Sequence, residues 1–141
     1  MPDKEARIVL DTNVLYAGLY SAVGASFRLL KAIADHRVRI VLSTPLLFEY
    51  EDVLKRNQAV LSLSNADVDV VLDNLCALAD FQEVYFLWRP CLRDANDDMV
   101  LELAVAARAP RIISFNAKDF GPARQFGIEV VAPKILLEEL Q

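Results

Sequence analysis

Short runs of apolar, mostly β-branched residues alternate along the chain with longer segments in which apolar residues recur every three or four positions. Runs of the first kind are typical of buried strands, and the second spacing is typical of helices. The pattern predicts strands at residues 7–10, 38–42, 83–87, 111–115 and 128–131. It predicts helices that start near Leu15 and Pro133 and at residues 26–35, 43–55, 65–79 and 99–108. Strands that alternate with helices indicate an α/β protein with a mainly parallel sheet.

Capping residues, prolines and glycines indicate more exactly where two of the helices start and where the chain is interrupted before the last strand. Ser43 or Thr44 can cap the helix that follows the second strand, and Pro45 suits the first helical position. Residues 96–98, Asn-Asp-Asp, predict a cap for the helix that begins at Met99. Residues 120–122, Phe-Gly-Pro, interrupt the chain before the last strand.

The length of 141 residues predicts a single domain spanning residues 1–141. Hydrophobic residues make up 55% of the chain, enough to fill a core and to leave an apolar surface for a partner. No apolar run approaches the ~20 residues that cross a bilayer, and residues 1–5 do not resemble a signal peptide. We therefore expect a soluble, cytoplasmic protein with no membrane partner.

The chain is acidic, with a net charge of -5 and a pI near 4.8. A module that binds nucleic acid mainly by neutralising phosphates is normally basic. An enzyme with a carboxylate cluster remains compatible with this charge, because bound metal ions reverse the local field.

Acidic side chains fall where a parallel sheet would bring them together. Asp11 follows the first predicted strand, Glu49 lies one turn into the helix after the second, and Asp98 precedes the helix before the fourth. Asn116 and Asp119 follow the fourth strand. Ligands of open parallel sheets bind beyond the carboxyl ends of the strands, so we expect these residues to converge on one edge.

Clustered carboxylates repel one another unless a cation compensates them. Oxygen ligands are preferred by Mg²⁺ and Mn²⁺, and the chain has no set of cysteines and histidines suited to zinc. Such an ion can activate water for hydrolysis of a phosphodiester. The arrangement therefore predicts a site for Mg²⁺ or Mn²⁺.

Each acidic residue also has a structural interpretation. Asp11 could cap the helix that begins at Thr12, and Asp97 and Asp98 could be first-turn charges favoured by the helix dipole. Glu49 could be a solvated helix residue. Asp94 and Asp119 could lie in ordinary turns. Their joint placement favours a functional site.

Four segments resemble the motifs of the PIN (PilT N-terminus-like) domain family. Residues 8–15, Ile-Val-Leu-Asp-Thr-Asn-Val-Leu, are similar to its opening strand with a metal-binding Asp. Residues 43–49 are similar to the capped helix that carries a metal-site Glu. Residues 98–104 are similar to an Asp that opens an Ala-rich helix. Residues 112–120 are similar to a strand that ends in Ser or Thr before a polar or acidic residue.

The resemblance implies a three-layer α/β/α sandwich and hydrolysis of RNA phosphodiesters that depends on Mg²⁺ or Mn²⁺. It implies that Asp11, Glu49 and Asp98 form the catalytic metal site. Many bacterial members of this size are toxins of toxin–antitoxin pairs and form homodimers, and residues 93–98 resemble a subgroup of putative toxins with an Asp-rich third motif. The resemblance therefore implies an antitoxin protein as a partner and a homodimer.

Asn116 departs from the family pattern, because many PIN domains have a fourth Asp there. The second metal position is then either weakened or served by Asp119 or Asp94. Counting back from Asn116 favours Asp98 over Asp97 as the ligand of the third motif. The alternative function is a catalytically inactive PIN-like module that binds RNA or another protein.

Residues that flank the acidic motifs are candidates for contact with the nucleic acid. Those within the motifs are Thr12, Asn13, Ser114 and Asn116. The basic candidates are Arg89, Arg93, Lys118 and Arg124, for each of which a solvated surface position is an equally good interpretation. Three aromatic residues could stack on bases: Tyr85, Phe86 and Trp88. Aromatic residues in and after a strand are, however, more often part of the core.

Overall fold

The computed structural model describes residues 7–84 and 95–140. Its centre is a five-stranded, all-parallel sheet with the strand order β3-β2-β1-β4-β5. The strands are β1 Arg7–Leu10, β2 Arg39–Leu42, β3 Ala79–Phe81, β4 Arg111–Ile113 and β5 Glu129–Val131. The predicted parallel α/β fold is confirmed.

Helices cover both faces of the sheet. The α-helices are α1 Thr12–Tyr20, α2 Ala25–Ala34, α3 Thr44–Arg56, α4 Gln58–Leu61, α5 Asn65–Leu78, α6 Ala95–Ala107 and α7 Pro133–Leu140. A 3₁₀-helical segment with a kink at Phe120 spans Ala117–Phe126, where the sequence predicts an interruption. Helices α1 and α2 pack on each other and α7 packs on α2, whereas α6 contacts β1, β2, β4 and the 3₁₀ segment. The three-layer α/β/α prediction is correct. Within the described ranges no helix is long and apolar enough to cross a membrane.

The two central strands explain why the core forms around β1. Both β1 and β2 have the sequence Arg-Ile-Val-Leu, and in each the three apolar residues are buried. Continuous apolar runs are expected in parallel strands that helices cover on both faces. On one of these faces α1 and α2 approach closely at Gly18, where a Cβ atom would lie 2.5 Å from Leu30 Cδ1.

The connections create a switch point between β1 and β4. From β1 the chain moves outward to β2 and then β3, whereas α6 returns it across the sheet to β4 on the other side of β1. Connections that diverge on opposite faces leave a crevice at the carboxyl ends of the two strands between them. The fold therefore directs a ligand to the ends of β1 and β4.

The predicted strand at residues 83–87 is wrong. The strand is β3, which starts directly after α5, and Glu83 and Val84 lie in no strand, while residues 85–87 lie outside the described ranges. Its position is set by long-range contacts: Asp80 accepts hydrogen bonds from Arg39 and lies 3.6 Å from the Arg7 guanidinium. Parallel pairing with β2 also holds β3 in this position.

Two further boundaries differ from the sequence prediction. Helix α6 begins at Ala95 rather than Met99, so residues 96–98 lie in its first turn and do not cap it. Strand β4 ends at Ile113, two residues earlier than predicted, because the chain turns at Ser114. The predicted helix start after β2 is confirmed, with the Ser43 side chain accepting a hydrogen bond from the Leu46 N–H.

Candidate functional site

Asp11 lies at the carboxyl end of β1 and is 8% exposed. Its N–H donates to the Ile113 carbonyl at 2.9 Å, which extends the pairing of β1 with β4. The residue occupies the N-cap position of α1, but its side chain makes no capping hydrogen bond. Its Oδ2 instead accepts a 2.6 Å hydrogen bond from Ser114 Oγ. The capping interpretation therefore does not account for the carboxylate.

Ser114 connects Asp11 to the turn that follows β4. The side chain is buried, and its Oγ also accepts a hydrogen bond from the Asn116 N–H at 3.0 Å. One hydroxyl thus donates to the end of β1 and holds the first turn after β4. Since these strands flank the switch point, this bond marks the place where the fold would present a ligand.

Tyr50 anchors the helix that carries Glu49. The Tyr50 side chain is fully buried, and its hydroxyl donates to the Leu10 carbonyl, one residue before Asp11. Burial, and then the negative charge of Asp11, raise the pKa of Tyr50 well above its ordinary value. The phenol therefore remains a hydrogen-bond donor at neutral pH, and it ties α3 to the end of β1. Glu49, its neighbour in sequence, is partly buried.

Helix α6 contributes two buried carboxylates. It packs against β1, β2 and β4, and it carries Asp98 at 2% exposure and Glu102 at 3%. Asp97, the neighbouring residue in sequence, is more exposed than Asp98. Burying a carboxylate is costly unless hydrogen bonds or a positive charge compensate it. Two such carboxylates one helical turn apart are candidates for oxygen ligands of a cation.

Glu102 is a residue that the sequence analysis did not single out. Its signal is present, because it is the only acidic residue between Asp98 and the end of α6 and lies four positions after Asp98, on the same side of the helix. Residues three or four apart on a helix are neighbours, so an acid at this spacing inside an apolar stretch is a second candidate ligand.

The donor atoms have the chemistry that a hard cation requires. The described candidates are carboxylates, together with Asn13 Oδ1, a buried oxygen for which no described residue supplies a hydrogen-bond partner. A buried acceptor of this kind, two residues after Asp11 in the sequence, fits a cation better than a neutral ligand without donors. Among residues 7–84 and 95–140, however, no three His, Cys, Asp or Glu side chains are grouped closely enough to hold a metal ion. The candidate ligand Asp94 lies outside these ranges.

The other candidates lie on the segments that follow β1 and β4. Asn116 and Asp119 are exposed after β4, and Thr12 is partly buried at the start of α1. Lys118 and Arg124 are exposed and line a cavity of about 590 Å³ beside β5, whose described lining includes none of the acidic candidates. The basic candidates Arg89 and Arg93, and the aromatic residues Tyr85, Phe86 and Trp88, lie outside the described residues.

A five-stranded parallel sheet of this order, with the buried Asp11 at the β1/β4 switch point, is an α/β domain that can present an acidic residue to a ligand at its carboxyl edge. A family model described as PIN domain matches residues 7–118. The chain belongs to the PIN domain family, and the fold is therefore a nuclease fold. A comparison with curated proteins finds no match.

Proposed function

We propose that the protein is an endoribonuclease that depends on Mg²⁺ or Mn²⁺ and hydrolyses RNA phosphodiester bonds. The observation that carries this proposal is the Ser114–Asp11 hydrogen bond at the β1/β4 switch point. Asp98 and Glu102, buried on the helix that packs against both strands, support it. A nuclease fold with acidic side chains at its ligand edge is suited to a phosphodiester when a cation is present.

Asp11, Glu49 and Asp98 are the residues that would hold the cation, with Glu102, Asp119 and Asp94 as further oxygen donors. When bound, such an ion supplies an activated water and neutralises charge on the phosphodiester. The chain itself supplies positioning. Ser114 orients the Asp11 carboxylate by donating to Oδ2, and Tyr50 holds the end of β1 through the Leu10 carbonyl.

We also propose that the protein is the toxin of a toxin–antitoxin pair and forms a homodimer. The family resemblance motivates this proposal, and exposed apolar side chains support it. Val23 is 89% exposed, Tyr20 63% and Phe48 62%. Large exposed apolar groups are typical of surfaces that another chain covers. Light scattering should give twice the monomer mass at micromolar concentrations; a 15.8 kDa species throughout would contradict the dimer.

Asp11→Asn tests the nuclease. We expect the variant to lose RNA cleavage by at least about 100-fold, since changes that merely disturb residues around a metal ligand already cost 10–100-fold. It should also lose most of the rise in melting temperature that Mg²⁺ gives the wild type, because that rise measures binding to the folded state. Cleavage of labelled RNA and thermal melting, each with Mg²⁺ and with EDTA, measure both effects.

Asp69→Asn is the matched control, since Asp69 is an exposed carboxylate on α5. It should keep both the cleavage rate and the Mg²⁺ response. If Asp11→Asn kept both as well, Asp11 would not belong to the site. If the wild type showed the Mg²⁺ response but cleaved no RNA, the protein would be an inactive, cation-binding member of its family.

A further inference from the structure

Phe115 is an exposed aromatic residue at the edge of the candidate site. It follows Ser114 directly, and its side chain is 52% exposed although the three residues before it are buried. The hydrogen bond from the Asn116 N–H to Ser114 Oγ closes a turn with Phe115 at its apex. The chain thus presents a phenyl ring to solvent one residue beyond the hydroxyl that contacts Asp11.

The same hydroxyl fixes Phe115 relative to Asp11. Ser114 Oγ donates to Asp11 Oδ2 at 2.6 Å and accepts from the Asn116 N–H at 3.0 Å, so the carboxylate and the turn share one anchoring atom. Consecutive Cα atoms are about 3.8 Å apart, which keeps the backbone of Phe115 within one residue of that anchor. The backbone of Phe115 therefore cannot move far from Asp11 without breaking one of these bonds.

A single exposed phenylalanine is common on protein surfaces and needs no special explanation. The position of Phe115 distinguishes it from the other exposed apolar residues. Ser114 and Asp11 are themselves buried, so Phe115 is an apolar group that the chain exposes one residue beyond the contact with the Asp11 carboxylate. An RNA with a phosphate at Asp11 has a base on either side of that phosphate to cover such a ring. The position therefore favours a nucleobase as the group that covers Phe115.

We propose that Phe115 stacks on an unpaired base next to the phosphodiester that Asp11 addresses, an assignment that rests on the proposed nuclease function. Aromatic side chains bind unpaired bases by stacking with little dependence on sequence. In a duplex both faces of a base are already covered by its neighbours. Phe115 therefore selects single-stranded segments and loops and sets the position of the strand relative to Asp11.

Binding of a short fluorescein-labelled RNA tests the proposal by fluorescence anisotropy in Ca²⁺, a cation that also takes oxygen ligands, with electrophoresis after each titration to show that the RNA is intact. We expect Phe115→Ala to weaken binding of the single strand about tenfold, in line with the usual effect of removing one stacking residue. Phe115→Tyr keeps an aromatic ring and should remain within about twofold of the wild type. The corresponding duplex should bind weakly to all of these proteins.

Phe126→Ala is the matched control. Phe126 is also an exposed phenylalanine, at 43%, but it precedes β5 and so lies towards the amino edge of the sheet. Its removal should leave binding unchanged. Melting temperatures of all variants should show that each remains folded.

A scan with one abasic nucleotide at each position locates the contact. At one position the abasic RNA should bind the wild type about tenfold more weakly, while Phe115→Ala should show no further loss there. Equal losses in both proteins at every position would overturn the assignment, as would unchanged binding by Phe115→Ala. A change in oligomeric mass on Phe115→Ala without this coupling would instead identify a protein contact.

The outcomes separate this inference from the proposed function. If the wild type neither binds RNA in Ca²⁺ nor cleaves it in Mg²⁺, the nuclease proposal fails and this inference fails with it. If the wild type cleaves RNA and Phe115→Ala cleaves and binds equally well, only the role of Phe115 is overturned.

Discussion

Replacing Ser114 with alanine removes the hydroxyl that joins the ends of β1 and β4. The bond it donates to the Asp11 carboxylate is short and buried, and hydrogen bonds to charged groups contribute about 1.5–3 kcal/mol to stability. The bond that it accepts from the Asn116 N–H costs less to lose, since Asn116 is exposed and water can replace the hydroxyl. We therefore expect Ser114→Ala to lower the free energy of unfolding by about 2–3 kcal/mol.

Urea denaturation and thermal melting measure this loss. For a domain of this length, 2 kcal/mol corresponds to a fall in melting temperature of about 6–8 °C. Ser26→Ala is a matched control, because Ser26 is also buried but its hydroxyl has no hydrogen-bond partner among the described residues. Removing a buried, unpaired hydroxyl should leave stability unchanged or raise it by up to about 1 kcal/mol.

A double-mutant cycle with Asp11→Asn isolates the charged hydrogen bond. In the Asp11→Asn protein the acceptor is neutral, and a neutral bond is about half as strong, so Ser114→Ala should cost about 1 kcal/mol less there. The effects of the two substitutions on the free energy of unfolding could be additive, or Ser114→Ala could change it no more than Ser26→Ala does. In either case the Ser114 hydroxyl would contribute nothing to stability through Asp11. That result would refute the use of this bond as the centre of the site.

Two other contacts give predictions about stability. Tyr50→Phe removes the buried donor to the Leu10 carbonyl and should lower the free energy of unfolding by about 1–3 kcal/mol. Because the folded pKa of Tyr50 is raised, this loss relative to wild type should stay constant up to about pH 10 and shrink above it. Urea titrations at several pH values measure it. Hydrogen bonding by Arg39 holds the pKa of Asp80 below its usual value against the opposing effect of burial, so Asp80→Asn should be less stable than wild type at pH 7. That difference should shrink as the pH falls below about 4 and through the lowered folded pKa; a difference that did not change with pH would contradict the ion pair.

Features encoded by neighbouring residues could be predicted from the sequence. The Ser43 cap before Pro45 depends on a few positions, and the helix after β2 starts there. The repeated Arg-Ile-Val-Leu segments indicate strands because an unbroken apolar run suits burial on both faces. The position of Asp11 after such a run follows from the same local pattern.

Features that depend on distant residues could not be predicted in this way. Strand β3 lies at Ala79–Phe81 because Asp80 contacts Arg39, 41 positions away in the sequence. The bond between Ser114 and Asp11 spans 103 positions, so the motifs placed both residues at strand ends but did not show that they touch. Burial of Glu102 likewise depends on how α6 packs across the sheet, and its motif alone did not reveal it.

The arrangement of charges along the strands shows how an acidic chain can act on an anionic substrate. Strands β1, β2 and β4 each begin with an arginine, and Arg7, Arg39 and Arg111 form ion pairs with Asp80, Glu129 and Glu139. In a parallel sheet these arginines share the amino edge, while Asp11 follows β1 at the opposite edge. The negative potential at that edge attracts cations and repels phosphates. Under the proposed function, RNA therefore binds productively only where a cation has already reversed the local charge, so the low pI and the nuclease fold are compatible.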